Sequence, residues 1–155
     1  MEASAIRLRA WRASPKPERD TATAMSQESV EVARRAYETW NAGDMDGFRE
    51  LYDPDTILRP PENWPERGPF VGREAVMRVW HQTREAWDAD TVEPISDFIE
   101  AGDRVVVRQV WHGVGRGPES NIETTNVFTV RKGLIVHQEF FWDHAEALEI
   151  LGLSE

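Results

Sequence analysis

The side chains that could do chemistry cluster in three stretches rich in β-branched and aromatic residues, 104–112, 122–131 and 134–142. Neighbouring side chains of a strand point to opposite faces, so parity decides which of them meet. Over 122–130, Ile122, Thr124, Asn126, Phe128 and Val130 share one face, opposite Glu123, Thr125, Val127 and Thr129. In the last stretch Val136, Gln138, Phe140 and Trp142 oppose His137, Glu139 and Phe141. The more apolar set is the expected core face, which turns Thr124, Asn126 and Gln138 inward. Amides and a hydroxyl can orient a carbonyl or hydroxyl group, but they cannot act as general bases near neutral pH. In 105–112 both faces are mixed, Val105, Val107, Gln109 and Trp111 against Val106, Arg108, Val110 and His112, and parity alone leaves the choice open. A slip of one residue in the last strand would bring Glu139 inward, to pair with His137 or Arg108 as acid and base.

Other candidates are fewer. Arg59 follows Ile57-Leu58 and leads into a loop; at a pocket mouth it could clamp a carboxylate or enolate oxygen, and otherwise it is a solvated arginine at a strand end. The histidines at 81, 112, 137 and 144 are scattered, no two have ligand spacing on one helix, and there is no cysteine, so no metal site is expected. Asp53 and Asp55 flank Pro54 as in an Asx turn. "GVGRGPE" joins two strands and lacks the lysine-serine end of a phosphate-binding loop. No cofactor is expected.

The elements that must position these residues are legible from periodicity. Ser26 reads as the N-cap of a helix whose Val30, Ala33, Tyr37 and Trp40 form one stripe, ended by Asn41-Ala42-Gly43. Asp44 caps a shorter helix carrying Met45, Phe48, Leu51 and Tyr52, and Thr56-Ile57-Leu58 reads as a short strand. A second long helix, 72–87, presents Val76, Val79, Trp80, Thr83 and Trp87 on one face. Strands are expected at 91–101, 104–112, 122–131 and 134–142, joined by turn-rich links into an antiparallel meander, with a last helix capped by Asp143. Helices first and strands after give an α+β fold with the helices on one face of a curved sheet. The tryptophans at 40, 80, 87, 111 and 142 fall on expected core faces; each alone is read as core, and together they make a tryptophan-lined cavity plausible.

One segment stands out between the first strand and the second long helix. "RPPENWPERGPFVGREAV", residues 59–76, holds prolines at 60, 61, 65 and 69, which restrict the backbone and reduce the entropy lost on ordering. It is expected to be a pre-ordered flap that sets Trp64 over the open end of the fold, with Phe70-Val71 pinning its far side.

The 155 residues suit one domain, and the formal net charge of −10 argues against a nucleic-acid backbone or an anionic membrane as partner. No apolar run approaches the ~20 residues that cross a bilayer, and the absence of cysteine fits a cytoplasmic setting. Residues 1–24 differ from the rest, with a net +2 and no long apolar run; they are expected to be a disordered N-terminal extension, with Met25 a possible natural start and 25–155 the domain.

In order along the chain, "VARRAYETWNAGDMDGFRELYDPD", "FVGREAVMRVW", "VFTVRKGLIVHQEFFWD" and "AEALEILGL" resemble the SnoaL-like branch of the nuclear-transport-factor-like superfamily, over about residues 26 to 153. The resemblance implies a cone, a curved antiparallel sheet wrapped around N-terminal helices and enclosing an apolar pocket, often dimeric through the outer sheet face. Members include ketosteroid isomerases, limonene epoxide hydrolase, polyketide cyclases, scytalone dehydratase and non-catalytic binding modules. The likeness to the epoxide hydrolases implies that Gln109 and Trp111 face inward. The isomerase pattern would want an aspartate beside Pro60, where Arg59 stands, and an acid where Trp111 stands, although Tyr37 could still donate a hydrogen bond. The hydrolase Asp–Arg–Asp network would fall on Gln109, Trp111 and Phe140, so it is absent as well. The resemblance and the parity together imply a pocket for a small apolar or carbonyl-bearing ligand, contacted by Tyr37, Trp40, Arg59, Trp64, Trp80, Gln109, Trp111, Asn126 and Gln138. They imply a homodimer of the cyclase, isomerase or hydratase kind. The alternative is a non-catalytic binding or dimerisation module whose core is filled by its own tryptophans.

Overall fold

A computed structural model describes residues 17–115 and 117–153. Helix α1 runs Pro17–Ala42, starting well before the expected cap at Ser26. Pro17 suits the first helical position, and no glycine or further proline interrupts the chain up to Gly43. Residues 1–16 of the expected extension lie outside the described residues. Gly43 ends α1 at φ 74°, a left-handed position that favours glycine. Helix α2 (Met45–Glu50) then starts on the Asp44 carboxylate, which accepts from the Gly47 amide.

Strand β1 (Tyr52–Arg59) is longer than the expected Thr56–Leu58. The Asx bond at Asp53, whose carboxylate accepts from the Asp55 amide at 2.8 Å, sits inside this strand where its pairing with β7 is irregular, between Tyr52 and Ile57. Strand β2 (Phe70–Val71) pairs antiparallel with β1 and leads into α3 (Arg73–Glu85). The single strand expected over 91–101 is two, β3 (Ala89–Pro94) and β4 (Ile99–Ala101). Pro94 has no N–H to continue the ladder, and in the gap the Ser96 hydroxyl accepts from the Arg108 amide instead. Strands β5 (Arg104–Val114), β6 (Ser120–Arg131) and β7 (Leu134–Phe141) follow, then α4 (His144–Ile150), capped by Asp143 as expected.

The sheet order is β2-β1-β7-β6-β5-β3, with β4 also on β5. All pairs are antiparallel except β1–β7, which is parallel; β3, β4, β5, β6 and β7 pair antiparallel as expected of the meander. The curved, unclosed sheet wraps α1 and α3. Val32, Ala33, Ala36, Tyr37 and Trp40 of α1 and Val76, Met77, Val79 and Trp80 of α3 are buried against Val105, Val107, Trp111, Phe128 and Ile135 of the inner sheet face. Burial of each large side chain contributes roughly 1.5–3 kcal/mol. On the outer face α4 covers a smaller apolar cluster, Val106, Val127 and Leu148 with Phe141 beside them. Trp87 lies on Gly113 of β5 so closely that a Cβ there would come within 2.6 Å of its ring. Among the described residues no helix is long and apolar enough to cross a membrane.

Candidate functional site

Inside the cone, five buried polar side chains form one directed row. The Tyr52 hydroxyl donates to Gln138 Oε1 (2.6 Å), and Gln138 Nε2 donates to Asn126 Oδ1 (3.2 Å). Asn126 Nδ2 donates to Gln109 Oε1 (3.2 Å) and to the Tyr37 oxygen (3.3 Å). Tyr37 in turn donates to Gln109 Oε1 (2.6 Å). Strand register builds the row: β5 pairs Val107 with Asn126, and β6 pairs Phe128 with Gln138, so the amides stand on adjacent inner positions. Burial pushes the Tyr37 and Tyr52 phenols far above their ordinary range, despite the lowering effect of hydrogen bonds to each. Both stay neutral at physiological pH and act as donors, never as bases.

The row borders a hollow of two small lobes. An inner lobe, with about 40 Å³ free, lies among Tyr37, Trp40, Phe48, Gln109, Asn126 and Gln138. An outer lobe, with about 20 Å³ free, lies among Leu58, Pro61, Trp64, Phe70, Ile122 and Thr124. Trp80, Gln109, Trp111 and Phe140 border both. Each lobe has room for small, water-sized occupants.

One end of the hollow is fastened by a carboxylate. Asp90 Oδ2 accepts from the indole nitrogens of Trp40 (2.7 Å) and Trp111 (2.9 Å). Arg84 reaches Asp90 Oδ1 at 3.5 Å, donates to the Trp40 carbonyl at 2.7 Å, and sits 4.3 Å over the Trp40 ring. The Trp40, Trp80 and Trp111 rings then meet at 5.7–6.5 Å between centroids, edge to face or tilted, geometries that aromatic quadrupoles favour. Among the described residues the buried Trp80 indole nitrogen has no hydrogen-bond partner.

The other end is covered by the proline-rich loop. Asn63, at φ 62°, forms a tight turn in which the Trp64 amide donates to the Pro61 carbonyl. Trp142 Nε1 donates to the Glu62 carbonyl at 2.7 Å, and its ring stacks at a tilt 5.8 Å from Trp64. Pro60, Pro61 and Trp64 therefore separate the outer lobe from a groove of about 600 Å³ on the far side of the loop.

Seven of the nine residues expected to touch a ligand, Tyr37, Trp40, Trp80, Gln109, Trp111, Asn126 and Gln138, come together around the inner lobe. Trp64 joins the outer lobe. Arg59 does not reach the hollow: on β1 it alternates with the inward Leu58, is exposed, and donates from Nε to His137 Nε2 at 3.2 Å. Trp142 is likewise not core but 47% exposed, because the chain bends out of β7 before it. Glu139 pairs with Val127 in register and lies with Arg59 in the outer groove, so the slipped register that would carry it inside is not the one formed. Desolvation lowers the His137 pKa below the usual 6.5 although Glu139 acts to raise it; the histidine accepts from Arg59 as a neutral ring. Two residues escaped the sequence reading. Tyr52 lies at the start of β1 rather than on α2 and is fully buried. Asp90 shares the parity of the inward Val92, and that alternation was the available signal. Among the described residues no group of three or more potential ligands could hold a metal ion.

Comparisons with known proteins agree with this architecture. Among solved structures, TerC co-crystallised with polyporic acid matches at TM-score 0.66 and 22% identity, over 81% of this chain and 98% of that one. RV0760c from Mycobacterium tuberculosis in complex with estradiol-17beta-hemisuccinate matches at TM-score 0.67 and 21% identity, over 75% and 94%. A putative polyketide cyclase from Sinorhizobium meliloti matches at TM-score 0.60 and 24% identity, over 71% and 93%. These likenesses establish the fold, which has also been described as cystatin-like. No curated protein sequence matches. The family model for the SnoaL-like domain matches residues 33–138, the span from the apolar stripe of α1 to the last amide of the buried row, and the chain belongs to the SnoaL-like family.

Proposed function

We propose that the chain binds a small apolar molecule in the two-lobed hollow, entered where Trp64 separates it from the outer groove. The observation that carries this reading is the buried row Tyr52–Gln138–Asn126–Gln109–Tyr37. Five polar side chains inside an aromatic core gain little stability over a well-packed apolar core, but they suit a surface that must meet a ligand's polar atom. Solved structures of the same fold that hold small organic molecules support it. Among the described residues the lining of the two lobes offers hydrogen-bond donors and no carboxylate or histidine, so turnover of the cyclase, isomerase or hydratase kind would rest on orientation. With the wall closed the lobes are smaller than any such ligand, and binding requires the loop to shift outward with the Trp64 ring staying against the ligand, so that the outer lobe joins the groove.

Indane is a suitable probe, measured by calorimetry against the parent chain and Trp64→Ala. Saturable binding by the parent, weakened about tenfold in Trp64→Ala by lost apolar contact, is the expected result. Equal affinity would remove the flap from the account. A second reading, a non-catalytic module filled by its own tryptophans, draws on the small free volume of both lobes; it expects no indane binding by either protein. We propose further that two copies pair through the part of the outer sheet face that α4 leaves open.

A further inference from the structure

The hydrogen-bonding capacity of the hollow is spent unevenly. The row runs in one direction, from Tyr52 on β1 through Gln138 on β7 and Asn126 on β6 to Gln109 on β5, each hydrogen bond ending on the next amide's oxygen. The row ends on Gln109, whose Oε1 accepts two hydrogen bonds while its Nε2 has no partner among the described residues. Gln109 is 4% exposed and borders both lobes. Its direct cross-strand partner on the same inner face is Thr124, 5% exposed, whose hydroxyl also has no partner among the described residues and borders the outer lobe. Neither atom is among the fully enclosed unpaired polar atoms, so both keep surface toward the hollow beneath Trp64, walled by Leu58, Ile122 and Phe140.

We infer that the outer lobe is an acceptor-oxygen subsite, in which Gln109 Nε2–H and Thr124 Oγ1–H hold the carbonyl oxygen of a ligand whose apolar ring lies against Trp64 and Trp111. The inference rests on the ligand pocket proposed above and adds what that reading leaves open, the polar group required and the strand pair that takes it. Gln109 Oε1 already accepts two hydrogen bonds and its N–H is the group left over, so the site favours a ligand that accepts. Because each donation in the row polarises the next, the terminal Gln109 amide is a stronger donor than an isolated one.

The test compares two probes of one shape, 1-indanone and indane, by calorimetry, with the side-chain amide signals of Gln109 followed by NMR. The parent chain is expected to bind the ketone about tenfold more tightly, near the upper range of what such hydrogen bonds contribute. The Gln109 amide protons should shift with the ketone and not with the hydrocarbon. Thr124→Val, close to isosteric, should cut the ketone's advantage over indane, measured within the same variant, to about threefold. Gln109→Leu should abolish the advantage; since it also strips Tyr37 of its acceptor, Thr124→Val carries the test if that variant does not fold. Equal affinity for both probes in the parent would overturn the subsite while leaving the apolar pocket standing, and binding of neither would overturn both.

Discussion

Asp90 puts three partners on two oxygens, and its side chain is only 3% exposed. Its worth lies in what it leaves behind when removed. Asp90→Ala strands two indole N–H groups in an apolar wall, at about 1–3 kcal/mol for each buried unpaired donor. Asp90→Asn keeps an oxygen where both indoles point, but it loses the charge facing Arg84, itself 22% exposed, and turns an N–H group toward the guanidinium; that loss is worth about 1 kcal/mol. Urea unfolding should therefore show Asp90→Ala destabilised by about 3 kcal/mol and Asp90→Asn by about 1 kcal/mol. Equal losses would mean that the ion pair, not the tryptophan anchoring, is what Asp90 supplies. At this same scale the sequence was read best where parity had one answer. Thr124, Asn126 and Gln138 are inside because their neighbours Phe128, Val130 and Phe140 are apolar. Asp90 was missed because a carboxylate on an inner face contradicts that rule unless its donors, fifty residues away on α1 and twenty-one away on β5, are already placed.

The loop 60–69 behaves as an element although it is neither helix nor strand. Its prolines restrict the backbone, Asn63 supplies the left-handed turn, and β2 fastens its far end to β1. Its near end is tied at Trp142, one hydrogen bond and one ring contact holding the Glu62–Trp64 turn against the exit of β7. The stiffness was legible from composition. The latch was not, since alternation along β7 sends Trp142 inward and only the bend after Phe141 turns it out. Trp142→Ala should therefore raise amide hydrogen exchange across 62–64 several-fold while β5 and β6 exchange at parent rates, with little change in global stability because the indole is half exposed. Unchanged exchange at 62–64 would show that the prolines alone hold the wall shut. The parallel β1–β7 pair had no local signal either: it joins residues more than seventy positions apart, and no periodicity within either strand specifies a partner.

At the scale of the whole molecule, the inner face of the sheet is committed to α1 and α3, and the outer face is shared. Helix α4 occupies the end near Val106 and Val127. What remains on β5 and β6 is half-buried Val110 among charged neighbours, Arg108 paired with Glu123 at 2.9 Å and His112 facing Glu93 at 3.3 Å. A two-fold contact here would be isologous, each Val110 meeting the partner copy's equivalent patch. It must also form against a net charge of −10 on each copy, a repulsion that salt screens beyond about 8–10 Å. The expected behaviour is a concentration-dependent monomer–dimer equilibrium that tightens as salt is raised from low ionic strength. Val110→Glu sets a second carboxylate directly opposite Glu123, its cross-strand partner, and destabilises by like-charge repulsion at the centre of the patch. Sedimentation equilibrium should show the dimer dissociation constant raised at least tenfold in that variant, with indane affinity unchanged because Val110 faces away from the hollow. A parent chain that stays monomeric at every concentration would remove the dimer, and a Val110→Glu dimer as tight as the parent's would move the interface to another surface.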